Sequence, residues 1–317
     1  MPADLVDNLL RFAHQVDVSI LRDLNAAFTN NVLQEFIVWV CGSKLLRGAV
    51  PLACYWFLWF GSKGDALQSQ RTVLIKGLFA SLAAIIVARS IAFSLPVRIR
   101  PFADPNLGIH LFSPPDGDFE DWSAFPSDTA AFEFALAWSL MRISPVCSVW
   151  LAAYGLVVAC LPRIITGIHF PSDILVGMLI GMVTSALMQR LRLPTRLLSG
   201  VLQWEGGQPV FYAMAFMFTC ELAQLFENVR LARKSFVHMW RTAGTLTELI
   251  PVLGAGALLA ALIATGALLF WRSTPKSSGM GSATSADAAS SGWPLSRASR
   301  ASLRSGLLHS RESPPSR

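Results

Sequence analysis

The sequence predicts an all-α, polytopic transmembrane helix bundle, and three observations carry that expectation. Of the 317 residues, 53% are hydrophobic and only 15% are charged, where a soluble domain carries about 25% charge. Mean hydropathy is +0.48. The apolar residues gather in repeated runs near the ~20-residue length that crosses a bilayer. The net charge of +6 does not point to nucleic acid. The excess cations sit at the ends of apolar runs and in the tail, as anchoring to a membrane requires.

The elements follow in order. Residues 1–28 interleave Asp4, Asp7, Arg11, Asp17, Arg22 and Asp23 with apolar positions. That is no signal peptide; it reads as an amphipathic helix lying at the interface. Residues 29–190 are expected to form a six-span core. Its runs lie around 29–43 and 46–61, then at 73–95, 126–142, 145–162 and 171–189; the first contains Gln34 and Glu35. Residues 191–272 add one or two membrane helices. The run 249–271 reads as a span, and 208–227, which holds Glu221, either spans or lies flat. Residues 273–317 contain 14 serines with scattered arginines, a composition expected to be disordered. Cys41, Cys54, Cys147, Cys160 and Cys220 are odd in number, lie in or beside apolar runs and show no CxxC spacing. They read as small membrane-core residues. Trp39, Trp59, Trp122 and Trp271 are expected in interfacial belts. Arg230, Arg233, Lys234 and Arg241 are expected as membrane-surface anchors.

The longest connection within the core is 96–125, rich in Pro, Asp and Gly; loops of that length are uncommon unless functional. With six alternating spans, it shares one face with the 163–170 turn. The opposite face carries Lys63, Arg71, Arg142, Arg190, Arg192 and Arg196. The long loop carries five acids against Arg98 and Arg100. The positive-inside tendency therefore places the loop face outside the cytoplasm, with Lys44 and Arg47 dissenting. A multi-pass protein of the cell membrane is expected, with an extracytoplasmic site.

Three clusters fall on that face: "RIRPF" (98–102), "SAFPSDTAA" (123–131) and "PRIITGIHFPSD" (162–173). Pro126 suits the first turn of a helix. Ser127 and Asp128 then occupy a turn whose free N–H groups and dipole, with the serine hydroxyl, make an anion site. Pro171-Ser172-Asp173 repeats the device. Asp173 is placed to reach back one turn to His169. A carboxylate on one imidazole nitrogen would fix the tautomer and leave the other free to attack. Arg100 and Arg163 supply forked donors that match a tetrahedral oxyanion. Together these residues read as a phosphate pocket holding a histidine nucleophile.

Arg100-Pro101, the Phe-Pro-Ser-Asp run and Arg163-x5-His169-x3-Asp173 resemble the three signature motifs of the type 2 phosphatidic acid phosphatase family. That family is related to bacterial lipid-diphosphate phosphatases and to the vanadium haloperoxidases. The resemblance covers roughly 29–190 and implies roles residue by residue. His169 would form a phosphohistidine and Asp173 would orient it. Arg100, Arg163 and Ser127 would bind the phosphate, with Arg89, Arg98, Asp128 and Thr129 completing the expected phosphate-binding set. The sequence departs from the family twice. Phe93 stands where a lysine usually precedes the first-motif arginine, and Arg89 or Arg98 could replace it. Thr129 stands where the second motif usually ends in histidine, the general acid. A threonine hydroxyl cannot do acid work near pH 7, and His110 in the long loop is a candidate replacement.

Two classes of function follow. One is a lipid phosphatase acting on a lipid phosphate or diphosphate, with polyprenyl diphosphate favoured. The other is a catalytically impaired relative that binds lipid phosphate headgroups as a scaffold or transport accessory; Thr129 keeps it open. A haloperoxidase fits poorly, because the scaffold spans a membrane. No metal or cofactor is expected, since the phosphate charge is met by arginines. The expected partners are the lipid substrate and the bilayer.

Overall fold

The computed structural model describes residues 3–28, 30–61, 64, 67–110, 123–192 and 207–242, with isolated positions at 258, 261, 262 and 265. Every regular element among the described residues is helical. The chain divides into two units, Met1–His238 and Met239–Arg317. The expected span at 249–271, the serine-rich tail and residues 111–122 of the long loop lie outside the described residues, save the isolated positions above.

The first unit is built around a short helix, α5 (Asp128–Leu140), in which every residue but Asp128 and Trp138 is buried. It packs chiefly against α4 (Leu67–Ser94) and α8 (Pro171–Arg190). The reason lies in small side chains. Ala84 and Ala88 of α4 meet Ala131 and Ala135 of α5. On the other side, a Cβ at Gly177 would strike the Ser127 carbonyl, and one at Gly181 the Ala131 carbonyl. Glycines one turn apart thus let two helix backbones touch, as in membrane helix pairs. Ser127 caps α5 by accepting the Ala130 N–H, which satisfies one of the orphan donors of the first turn.

Around this centre stand α2 (Asn31–Gly42), α3 (Val50–Gly61), α6 (Pro145–Tyr154) and α7 (Leu161–Ile165). Two π-helical turns interrupt them, Leu45–Ala49 before α3 and Gly155–Cys160 between α6 and α7. Such π turns re-aim side chains and occur often at functional sites.

All six core runs of the sequence are helical, but they are not six equal spans. Among the described residues, three helices are long and apolar enough to cross a membrane: Leu67–Ser94, Pro145–Ile165 and Pro171–Arg190. The first two runs form a pair, Asn31–Gly42 and Leu45–Gly61, bent by 52°. If that pair is one span, the number becomes four. The 126–142 run yields only 13 helical residues, roughly 20 Å of helix, enclosed by its neighbours.

Helix α1 (Ala3–Ala26) is held by the protein as well as by its apolar surface. Leu9, Phe12, Val16 and Ile20 are exposed on one side, while Asp17, Leu21 and Asn25 are buried against the bundle. Asn25 Nδ2 donates to the carbonyls of His110 and Ile165, both at 3.0 Å. Arg22 Nε donates to Leu107 O at 2.7 Å.

The run 208–227 forms α9 (Gly207–Ala223), followed by α10 (Glu227–Thr242). Near its start, Tyr212 accepts from Trp59 Nε1, beside Arg71, which stacks on Trp59. At its far end, a Cβ at Gly48 would strike the Ala223 carbonyl, and Leu225 O accepts from Arg89. Helix α9 therefore runs the length of α4 between residues 71 and 89. Trp59 is buried in this contact rather than set in an interfacial belt as its sequence suggested, whereas Trp39 is exposed. Trp122 and Trp271 lie outside the described residues. The five cysteines are free, with Cys41 and Cys160 buried.

Candidate active site

Three short connections meet over the N-termini of α5 and α8. Backbone hydrogen bonds stitch them together: Ala124 N–H to Arg98 O at 2.9 Å, Phe102 N–H to Gly167 O at 2.9 Å, and Ser127 N–H to Asp173 O at 3.1 Å. Gly167 has φ +74°, and a Cβ there would lie 3.2 Å from the Phe102 amide and 2.8 Å from Ile109 Cδ1. Both the backbone shape and the close approach require glycine. After α7, the N–H groups of Ile168 and His169 both donate to Arg163 O. The turn that carries the histidine is thereby folded onto the residue that carries the arginine.

His169 is 3% exposed. Its Nδ1 lies 2.8 Å from Ala124 O. A carbonyl can only accept, so Nδ1 carries the proton and Nε2 holds a free lone pair. Nε2 makes no hydrogen bond among the described residues. Asp173, the expected orienter, stands farther from the ring than this carbonyl. Asp173 Oδ2 stands 3.8 Å from Nδ1, beyond hydrogen-bond reach. Its oxygens are engaged elsewhere: Oδ2 accepts the Phe170 N–H at 2.7 Å, and Oδ1 pairs with Arg98. Asp173 thus fixes the start of α8 and the histidine turn, while a backbone carbonyl sets the tautomer. Burial pushes the His169 imidazole below its usual value; Asp173 pulls against this, and Arg100 and Arg163 reinforce it. The imidazole is neutral near pH 7 and suited to attack.

Arg100 and Arg163 lie beside it. Arg100 donates to Ile168 O at 2.9 Å and to Ser123 O at 3.5 Å. Burial, and then Arg163, push its guanidinium down to about 10, so it remains a cation at neutral pH. Arg163 is buried, and its Nε has no partner among the described residues. Two crowded guanidinium groups next to a neutral imidazole repel each other and attract an oxyanion.

The other expected phosphate ligands divide. Ser127 caps α5 and is buried at the junction. Thr129 is buried, its Oγ1 without a partner among the described residues. Arg89 and Asp128 hold one another, with Arg89 Nε and Nη2 at 3.2 and 3.1 Å from Asp128 Oδ2. An ion-paired carboxylate beside a phosphate repels it, so Asp128 acts on Arg89 rather than on an anion. Arg98 is likewise committed. It donates to Asp17 Oδ2 at 2.8 Å, to Ser172 Oγ at 2.8 Å and to Asp173 Oδ1, and it lies over the Phe170 ring. With two carboxylates on its guanidinium it ties α1 to α8. His110 is exposed, with its backbone held by Asn25.

Sequence reasoning missed two charges inside the bundle, one half-buried and one fully buried. Arg47, in the first π turn, lies within electrostatic reach of Arg163 and Asp128, and its Nε has no partner among the described residues. It was the arginine that dissented from the positive-inside pattern, and that dissent was the available signal: a charge inside an apolar run points to function. Glu133 is fully buried on α5, both carboxyl oxygens without a partner among the described residues. The same rule marks it.

Residues 73–195 match the model of the PAP2 superfamily. No curated protein matches the chain. A crystal structure of Aquifex aeolicus LpxE is similar at 24% sequence identity, with 55% of this chain and 94% of that chain covered and a TM-score of 0.39. The matched segment contains Arg89, Arg98, Arg100, Ser127, Thr129, Arg163, His169 and Asp173, so the residues gathered at this site fall within the stretch that is similar to the PAP2 superfamily.

Proposed function

We propose that this protein is a lipid phosphatase of the membrane that transfers phosphate to His169 and then to water. The observation that carries the reading is His169 itself. A buried, neutral imidazole with Nδ1–H on Ala124 O has its nucleophilic nitrogen free beside Arg100 and Arg163. In the first step Nε2 attacks phosphorus, the P–Nε2 bond forms and the bond to the lipid oxygen breaks. The arginines stabilise the charge that gathers on the phosphoryl oxygens. Water then displaces the histidine. The loop face carries the acidic 96–125 connection and the opposite ends carry the cations, which supports a site on the extracytoplasmic side.

The preferred substrate is a lipid diphosphate of the polyprenyl class. A monophosphate must expel an alkoxide, which needs a proton, whereas a diphosphate expels a phosphate monoester that departs unprotonated near pH 7. General acid help is worth about 10²–10⁴-fold, and its weakening at Thr129 falls on monophosphates. Phosphate release by the purified full chain against a lipid panel tests this. Diphosphates are expected to turn over faster than phosphatidic acid, release is expected to survive EDTA, and His169→Ala is expected to abolish it. Preference for phosphatidic acid would refute the substrate assignment. Thr129 also supports the second reading, a headgroup-binding scaffold; wild-type protein that binds lipid phosphate vesicles and releases no phosphate would establish it.

A further inference from the structure

We propose that Glu133 serves as the proton donor of this site, acting through the Thr129 hydroxyl. The inference rests on the phosphatase reading above. Thr129 and Glu133 are four residues apart on α5, so their side chains lie on one face about 5–6 Å apart at Cβ. Both are buried, and all three of their side-chain oxygens lack a hydrogen-bond partner among the described residues. A hydroxyl and a carboxyl enclosed in a bundle interior are normally hydrogen-bonded. Here they are left open, and Glu133 lies within electrostatic reach of Arg163, the arginine whose backbone holds His169.

The surroundings of Glu133 are defined from every side. Arg47 faces it from the first π turn and Arg163 from α7. Tyr154 of α6, Cys160 of the second π turn and Cys54 of α3 complete the titratable groups near it. None of them forms an ion pair or hydrogen bond with it among the described residues. Gly155 opens the second π turn alongside, and a Cβ there would lie 3.3 Å from Glu133 Oε2. The missing side chain at Gly155 therefore leaves the carboxyl its place beside the π turn.

The step balances as follows. Glu133 begins as the carboxylic acid. As Nε2 of His169 bonds to phosphorus, the bond between phosphorus and the lipid oxygen breaks. The Thr129 hydroxyl proton passes to that oxygen, and the Glu133 proton passes to Thr129 Oγ1. The lipid alcohol leaves, and the new carboxylate faces Arg47 and Arg163. When water attacks the phosphohistidine, the P–Nε2 bond breaks. One water proton returns through Thr129 to Glu133, and inorganic phosphate departs. A relay through a hydroxyl needs two aligned hydrogen bonds where a directly placed acid needs one, which is consistent with diphosphates remaining the better substrates.

The test compares kcat/KM for phosphatidic acid and for a polyprenyl diphosphate in wild type, Glu133→Gln and Thr129→Val, each as the full chain in detergent. This ratio reports phosphoryl transfer to His169, before water acts. In Glu133→Gln the monophosphate value is expected to fall by about 10²-fold and to lose its descending limb at alkaline pH. The diphosphate value is expected to change far less. Thr129→Val keeps the carboxyl and removes the relay, so it should show the same selective loss even if the glutamine variant folds poorly. Equal losses on both substrates would assign Glu133 a packing or charge-balancing role and overturn the relay, as would unchanged monophosphate turnover. Wild type that releases phosphate from neither substrate would instead overturn the phosphatase reading, and the relay with it.

Discussion

Two neighbouring parts of this molecule hold their charges in opposite ways. On the outer ledge, Arg98, Asp17, Ser172 and Asp173 satisfy one another within hydrogen-bond distance. In the inner cluster, Arg163, Thr129 and Glu133 are buried and Arg47 is half-buried, yet each has side-chain atoms without a partner among the described residues. A closed network rigidifies and positions. An open cluster of buried polar atoms is costly unless a ligand or reaction uses it. The ledge is therefore framework, and the open cluster is where the proposed mechanism puts the phosphate and the moving proton. Residue type alone does not separate the two, since each contains arginine and carboxylate.

The sharpest way to break the comparison is to change one arginine in each region. Arg163→Lys keeps the charge and loses the fork, which matters most where an oxyanion is bound. Its phosphatase activity is expected to fall about 10²-fold or more, with little change in melting temperature. Arg98→Ala should do the reverse, lowering stability more than intrinsic activity. Activity assays and thermal unfolding of both variants decide this; similar profiles for the two would erase the distinction.

The next effect falls on Asp173, which belongs to the ledge but touches the pocket. Asp173→Asn breaks a buried pair, and losses of about 3–5 kcal/mol are typical of such breaks. Arg98 is partly exposed, so the low end is expected. Turnover should fall too, because the single amide oxygen cannot both accept the Phe170 N–H and hold Arg98, and the histidine turn is held less firmly. Lowered activity with unchanged stability would restore Asp173 to the direct orienting role that the motif spacing suggested.

The smallest effect is a shift in a pH profile. Burial depresses the His169 imidazole, so the neutral nucleophile persists below the ordinary histidine range. Log kcat/KM should stay level as pH falls through 6.5, the ordinary value, and decline only at lower pH. Asp173 pulls the imidazole upward, so in Asp173→Asn the acid limb should move lower still. A limb at or above the ordinary value in wild type would contradict a buried, arginine-flanked imidazole.

Much of this was legible in the sequence. The long apolar runs became α4, α6–α7 and α8, because length and composition suffice where a helix faces lipid on most sides. The motif residues Arg100, Arg163 and His169 converge because their spacing places them at helix ends on one face. What the sequence hid depended on partners far away in the chain. Nothing local says that His169 meets the Ala124 carbonyl, 45 residues earlier, in preference to Asp173 one turn away. Nor does it say that Asp17 crosses to Arg98. Helix α5 is too short for a span because it never meets lipid on most faces. Its alanines and the glycines of α8 hinted at close packing, but a hydropathy window sees only another apolar run. Arg47 and Glu133 were visible as charges in greasy segments, and only the fold brings them within electrostatic reach of each other.

The most direct measurement is to trap the covalent intermediate. Full-length protein mixed with a polyprenyl diphosphate, quenched during turnover and digested under alkaline conditions that preserve phosphohistidine, can be mapped by mass spectrometry. Phosphate on His169 in wild type, absent in a folded and inactive His169→Ala, is the expected result. Sustained turnover in His169→Ala, or phosphate mapped to another residue, would contradict the role of His169 as nucleophile.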